Sequence, residues 1–214
     1  MDAIEIYNTL TKMFPSPKCE LVFSTPFELL ICVILSAQCT DKRVNEVTQK
    51  LFLKYSTPKD FASLEQTELE KLIYSCGFYH NKAKNIIMAS KQILEKFNGQ
   101  VPDNLQDLRS LAGVGRKTAN VVYATAFGGD AIAVDTHVFR TSNRLGLSKS
   151  KDVLTCENDL MKALPKEYWS NFHYLLVLFG RYKCKSQKPS CEDCPFSSFC
   201  VHQKQNTKIK KPKQ

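Results

Sequence analysis

Between Leu105 and Asp135 the chain reads LQDLRSLAGVGRKTANVVYATAFGGDAIAVD. Apolar residues at helical spacing (Leu105, Leu108, Leu111) run into Gly113-Val114-Gly115, and a second such set (Ala119, Val122, Ala126) follows at once. That pattern is helix, tight hairpin, helix. The two glycines reach backbone conformations that side chains forbid and let another molecule come close to the main chain. A plain helix–helix turn would use the same glycines. The start of the second helix adds something a plain turn does not need: free N–H groups that bind a phosphate without any side chain. Lys117 lies in that first turn, where the positive end of the helix dipole opposes an ammonium. The same field and the neighbouring Arg116 favour the free amine, which is the nucleophilic form. Asp135 follows the second helix and opens Val134-Asp135-Thr136-His137, a favoured N-cap position. A capped carboxylate can still face a pocket and stabilise positive charge developing on a sugar ring.

The remaining chain reads as all-α with short connections. A first helix is expected over 3–14. Thr25-Pro26-Phe27-Glu28 is a strong helix start, with Thr25 as cap, Pro26 at the first position and Glu28 completing a capping box. The helix it opens is apolar on nearly all sides through Leu35, as befits the middle of a core. Asp41 is expected to cap a helix over 42–55. Thr57-Pro58 starts a short one, Leu69, Leu72 and Ile73 mark another that Gly77 stops, and a longer one is expected over 81–97. Beyond Asp135, helices are expected over 136–145, 151–164 and 166–183. The one strand-like piece, 131–134, is too short to build a sheet. Only the lysine-rich tail after Lys204 reads as disordered.

The formal charge is +9, and the last 34 residues hold nine Lys and Arg against two acids. Such a balance suits a polyanion or an acidic membrane surface. The most apolar run, 27–37, contains Glu28 and is too short to cross a bilayer. No signal peptide is visible at the N-terminus, so a cytoplasmic protein is expected. Nine cysteines are many. An odd number without an export signal points to reduced thiols and a metal site, not to a disulfide framework. Cys184, Cys191, Cys194 and Cys200 form C-x6-C-x2-C-x5-C, four thiolates able to close on tetrahedral zinc or on an iron–sulfur cluster. The segment between them has little to bury, so the metal would supply its folding free energy. A structural centre would hold Arg181, Lys183, Lys185 and Lys188 as a phosphate-facing patch.

Together, LAGVGRKTANVV (111–122), AVDTHVFR (133–140), LLICVILSAQCTD (29–41) and the cysteine quartet resemble the helix-hairpin-helix DNA glycosylase superfamily, and within it the endonuclease III family. The resemblance implies a six-helix barrel over 22–130, with the hairpin motif at 105–128. It implies a second, iron–sulfur domain made of 1–21 and 131–214, with the active site in the cleft between them. It resolves the metal towards a [4Fe-4S] cluster on the four cysteines. Lys117 matches the Schiff-base lysine and Asp135 the catalytic aspartate. Gln38 and Phe78 match the places where wedges enter the duplex. Gly113, Val114, Gly115 and Arg116, with His137, Arg140 and Lys185, complete the expected DNA contacts. The implied activity is a monomeric bifunctional DNA glycosylase and abasic-site lyase of base-excision repair. It would act on oxidised or ring-damaged pyrimidines in double-stranded DNA. An adenine-specific mismatch glycosylase shares both domains but lacks a lysine at the position of Lys117. A DNA-binding module without catalysis would not need Lys117 and Asp135 together.

Overall fold

The computed structural model describes residues 1–203, so the tail from Lys204 lies outside the described residues. Among the described residues every regular element is helical and there is no strand. Residues 131–134 form an irregular connection with all four side chains buried, so the apolar run that reads as strand-like serves burial on every side. The chain divides into two compact units: Cys19–Gly129, and Met1–Lys18 together with the chain from Asp130 onward.

Helix α1 (Ala3–Met13) begins with a capping box between Asp2 and Glu5 and buries Ile6 and Leu10. The unit from Cys19 to Gly129 is built round α2 (Pro26–Ser36), in which every residue from Phe27 to Leu35 is buried. Each such apolar side chain removed from water contributes about 1.5–3 kcal/mol. Thr25 accepts the Glu28 N–H as expected. The Glu28 carboxylate, however, does not return to Thr25; it accepts the N–H of Ser24 at 2.6 Å, which fixes the chain one residue earlier. Thr40, not Asp41, caps α3 (Asp41–Leu51), by accepting from the Arg43 N–H. Asp41 becomes the first helical residue, where its charge meets the positive end of the helix dipole. Helix α4 (Pro58–Ser63) carries a capping box of Thr57 and Asp60. Helix α5 (Gln66–Ile73) runs into a 3-10 turn, Tyr74–Cys76. Helix α6 (Tyr79–Lys96) starts two residues before the expected 81 and has left-handed Phe78 as its N-cap. Helices α7 (Leu105–Ser110) and α8 (Arg116–Phe127) flank the hairpin. Helices α4 and α5 pack on α6, and α8 packs on α2.

The other unit sets α1 beside α9 (Thr136–Leu145), α10 (Val153–Ala163) and α11 (Trp169–Leu178). The helix expected over 166–183 is three pieces: a 3-10 turn Lys166–Tyr168, α11, and a π turn Phe179–Lys183. Ile6 and Leu10 meet Val138, Leu160, Phe172 and Phe179 in its core.

Candidate nucleic-acid interface and cysteine centre

Both glycines of the hairpin looked alike in the sequence, but they are used differently. Gly113 has φ 75°, and a Cβ there would lie 2.8 Å from Cβ of Asn85 on α6. Its neighbours are braced by the same helix. The Ala112 N–H donates to Gln92 Oε1 at 2.7 Å, and Gln92 Nε2 donates to the Ser110 carbonyl at 3.4 Å. Buried Val114 locks the turn into the core. Gly115 has ordinary extended angles (φ −83°, ψ 179°), and no atom lies within 4 Å of where its Cβ would point. Nothing inside the unit requires a glycine there. It is the N-cap of α8, with no side-chain cap, so the first N–H groups of the helix have no side-chain acceptor at the cap. Arg116 and Lys117 follow, both exposed. No carboxylate pairs with Lys117 among the described residues.

Gln38 and Phe78 sit on two adjoining loops of the same unit. Both are exposed, Phe78 at 63%, and both have positive φ, 53° and 49°. Side-chain-bearing residues in that region cost of order 1–3 kcal/mol each, a strain that clusters at functional sites. Gly77, at φ 60° and ψ 150°, occupies a region essentially reserved to glycine. A Cβ on Gly77 would lie 3.9 Å from the Gln38 carbonyl oxygen, which shows how closely the loops approach.

In the unit that contains α9, Asp135 Oδ1 accepts the Val138 N–H at 2.7 Å, so the cap is formed. Asp135 is half-buried and lies in a different unit from Lys117. Desolvation holds the His137 imidazole below its usual pKa, against the pull of Asp135. Arg140 is directed inward: Nη2 donates to the Gly180 carbonyl at 2.9 Å and Nε to the Cys184 carbonyl at 3.2 Å. Lys185 is exposed.

Cys184, Cys191, Cys194 and Cys200 line one cavity, with Lys183 and His202 beside them. The segment has an anchor that composition concealed. Phe196 is 0% exposed and meets Phe179 edge-on at 5.2 Å. The Cys200 N–H donates to the Phe196 carbonyl at 2.9 Å, and Lys183 pairs with Asp193. Arg144 Nη1 donates to Cys184 Sγ at 3.4 Å and to the Lys185 carbonyl at 2.7 Å, while Nη2 reaches the Ser186 carbonyl at 3.1 Å. Cys32, by contrast, is an interior thiol of α2, pushed up to about 12 by burial and therefore inert.

The family described as HhH-GPD superfamily base excision DNA repair protein matches residues 31–166. The chain belongs to it. An endonuclease III of Bacillus subtilis (strain 168) is 55% identical over 88% of this chain and 86% of its own length. A solved endonuclease III–DNA covalent intermediate, an estranged-adenine complex, superposes with a TM-score of 0.92 at 50% identity, covering 95% of this chain and 96% of its own. A non-covalent endonuclease III–DNA complex gives the same TM-score and identity over 96% of each chain. The fold is thus the helix-hairpin-helix DNA glycosylase fold.

Within this HhH-GPD fold the cysteine quartet sets four thiols round one cavity, a donor set suited to a metal centre. Arg144 and Lys183 supply positive charge beside the four thiols. Sequence reasoning missed Arg144, which lies four residues after Arg140 on α9 and extends its brace. It also missed Lys82 of α6. Lys82 is 5% exposed, and its Nζ donates to the carbonyls of Leu35 (2.8 Å), Ala37 (2.7 Å) and Cys76 (2.5 Å). The signal was present: Lys82 precedes Ile86 by four residues and so falls on the buried stripe of α6.

Proposed function

We propose that this chain is a bifunctional DNA glycosylase and abasic-site lyase of base-excision repair. It removes oxidised or ring-damaged pyrimidines from duplex DNA and then cuts 3′ to the abasic site. The observation that carries this reading is Lys117: an exposed amine, unpaired with any carboxylate among the described residues, two positions into a helix whose N-cap is open. The likeness to an endonuclease III captured covalently on DNA supports it.

In this reading the Cys19–Gly129 unit is the barrel domain and the remaining chain the cluster domain. A base must leave the stack to be processed, at a cost of a few kcal/mol. Gln38 and Phe78 fill the gap it leaves. The N–H groups behind Gly115 receive a phosphate, with Gly113, Val114 and Arg116 shaping the hairpin round it. Lys185 and His137 reach the DNA backbone, and Arg140, turned inward onto the Gly180 and Cys184 carbonyls, braces the segment that carries Lys185. Lys117 Nζ attacks the sugar C1′ and the C1′–N bond breaks, so the base departs with the bonding pair and takes up a proton. The nitrogen lone pair then opens the sugar ring by breaking C1′–O4′, O4′ takes up the proton released from nitrogen, and the resulting imine acidifies the C2′ hydrogen. Its removal expels the 3′ phosphate by β-elimination, and water then hydrolyses the imine to free Lys117. Asp135 stabilises the cationic sugar and the protonated amine states. Cys184, Cys191, Cys194 and Cys200 would hold one [4Fe-4S] cluster, which when bound supplies folding free energy and fixes the basic segment. The enzyme acts as a monomer on the cytoplasmic nucleoid.

Borohydride reduction of the enzyme with abasic duplex DNA tests the nucleophile. Wild type is expected to give a covalent complex that Lys117→Ala abolishes while DNA binding persists. A Lys117→Ala protein that still trapped and still nicked would end this assignment. Metal analysis tests the centre: a colourless pure protein with zinc and no iron would refute the cluster.

A further inference from the structure

The two loops expected to wedge into DNA are tied to one atom. Lys82 Nζ accepts no hydrogen bond and has three hydrogens to donate, and its three partners are all main-chain carbonyls. Leu35 and Ala37 belong to the last turn and the C-cap of α2; Cys76 ends the 3-10 turn before α6. Both are C-terminal helix ends, where unsatisfied carbonyls carry partial negative charge and attract a cation. The charge is thus held by oriented dipoles, and burial pulls the ammonium below its usual lysine pKa.

We infer that Lys82 is a positioning residue for base extrusion, a buried ammonium that sets the spacing and direction of Gln38 and Phe78 by holding the carbonyls of Ala37 and Cys76 together. The covalent link is short. The Ala37 carbonyl lies in the same rigid peptide plane as the Gln38 N, so fixing it fixes the plane from which the φ of Gln38 starts. The Cys76 carbonyl fixes the Cys76–Gly77 plane in the same way, one residue before Phe78. Those are the positions where the chain is held at φ 53° and 49°. Strain of this kind persists only where surrounding structure over-determines it, and Lys82 supplies that determination for both loops at once. Without the ammonium, three carbonyls lose their partner and each loop can relax independently. Two wedges that must fill one gap in a base stack then lose their common reference.

This inference rests on the reading of Gln38 and Phe78 as wedges, and its test keeps the two apart. The full-length protein is assayed for single-turnover excision of thymine glycol from duplex DNA. Lys82→Met is expected to slow excision about 10–100-fold, the scale of a misplacement near 1 Å. Borohydride trapping on a single-stranded abasic oligonucleotide, which needs no wedge, should stay within about twofold of wild type, and Lys82→Arg should restore part of the excision rate. The deciding comparison is a cycle with Gln38→Ala/Phe78→Ala. Adding Lys82→Met to that pair should slow it no further than about twofold. An additive loss would reduce Lys82 to general stability and overturn the inference while the wedges stand; so would a Lys82→Met enzyme that excises at the wild-type rate. A Gln38→Ala/Phe78→Ala enzyme as fast as wild type would overturn the wedge reading and this inference with it. Where Lys82→Met melts below the assay temperature, Lys82→Arg takes its place in the same cycle.

Discussion

Substituting alanine at each hairpin glycine separates a glycine the fold needs from one the fold does not. At Gly113 the left-handed conformation costs an alanine about 1–2 kcal/mol. The new Cβ would lie 2.8 Å from Asn85 Cβ, so the hairpin or α6 must shift, at about 1–3 kcal/mol for overpacking. The stiffer unfolded chain returns about 0.4–1 kcal/mol. The net loss is about 1–5 kcal/mol, and at about 2–4 °C per kcal/mol for a chain of this size the melting temperature falls by several degrees. Asn85→Gly in the Gly113→Ala background should recover the overpacking part and leave the backbone part. At Gly115 no clash and no forbidden angle arises, and the poorer N-cap is offset by the same gain in the unfolded chain. Gly115→Ala should therefore melt with wild type. Its methyl group, however, projects into the open space before the N-terminus of α8, where the DNA backbone is proposed to lie. Duplex affinity, measured by anisotropy at fixed salt, should fall about tenfold or more, since a phosphate held by main-chain N–H groups tolerates no intervening carbon. The reasoning fails if Gly115→Ala binds DNA as wild type does, or if Gly113→Ala melts with it.

Two further perturbations probe the supports of the site. Phe196→Ala should cost about 3–5 kcal/mol, spent as local opening of the cysteine segment because Phe196 is its buried anchor. Trypsin should then cut after Lys183 or Lys185 while the Cys19–Gly129 unit stays protected; a cleavage rate equal to wild type would disprove the anchor. Asp60→Asn bears on pH. The Thr57 hydroxyl and N–H and the Ser56 N–H hold the Asp60 carboxyl below its usual pKa. A depressed carboxyl stabilises the fold above the unfolded pKa and loses that effect as pH falls through the folded one. The variant should be weaker by about 0.5–1 kcal/mol at neutral pH. It should converge with wild type as the pH drops below about 4, and a gap that persists in acid would contradict the assignment.

What could be read from the sequence follows a physical division. Helix cores and ends were legible wherever periodicity and a cap coincide, as at Thr25, Thr57 and Asp135. They were misplaced where two residues compete for one cap. Thr40 took the role given to Asp41, because an N-cap hydroxyl and a first-turn carboxylate satisfy different parts of the same helix end. The break of 166–183 into 3-10, α and π pieces leaves no mark on an apolar pattern that suits all three. Phe196 was passed over because an aromatic in a polar segment barely changes composition, yet it is the most deeply buried side chain there. The hairpin and the gathering of the four cysteines on one cavity were legible because both depend on residue types in a fixed order, and the same order singles out Lys117 for the proposed chemistry.

The groups that hold those residues could not be found in that way, since their partners are main-chain atoms, which every residue has. Lys82, Arg140 and Arg144 each donate to a carbonyl at least 40 residues away in sequence, so no partner residue betrays them. Their common trace is a cation on a face that periodicity assigns to the interior, as Lys82 lies on the stripe of Ile86 and Ile93. A buried cation with no acid opposite is costly unless several dipoles converge on it. Dipoles converge where helices end, and helix ends are where loops begin. An unmatched cation on an apolar stripe therefore marks loops whose placement has been secured at a cost to stability. In this chain those loops carry Gln38, Phe78 and the segment from Cys184 onward. Helix α6 shows the economy of the arrangement: its first turn supplies Lys82, and its later turns supply Asn85 and Gln92 against the hairpin. One helix thus sets the loops of Gln38 and Phe78 and the hairpin turn in a single frame, as the proposed reaction on an extruded nucleotide requires.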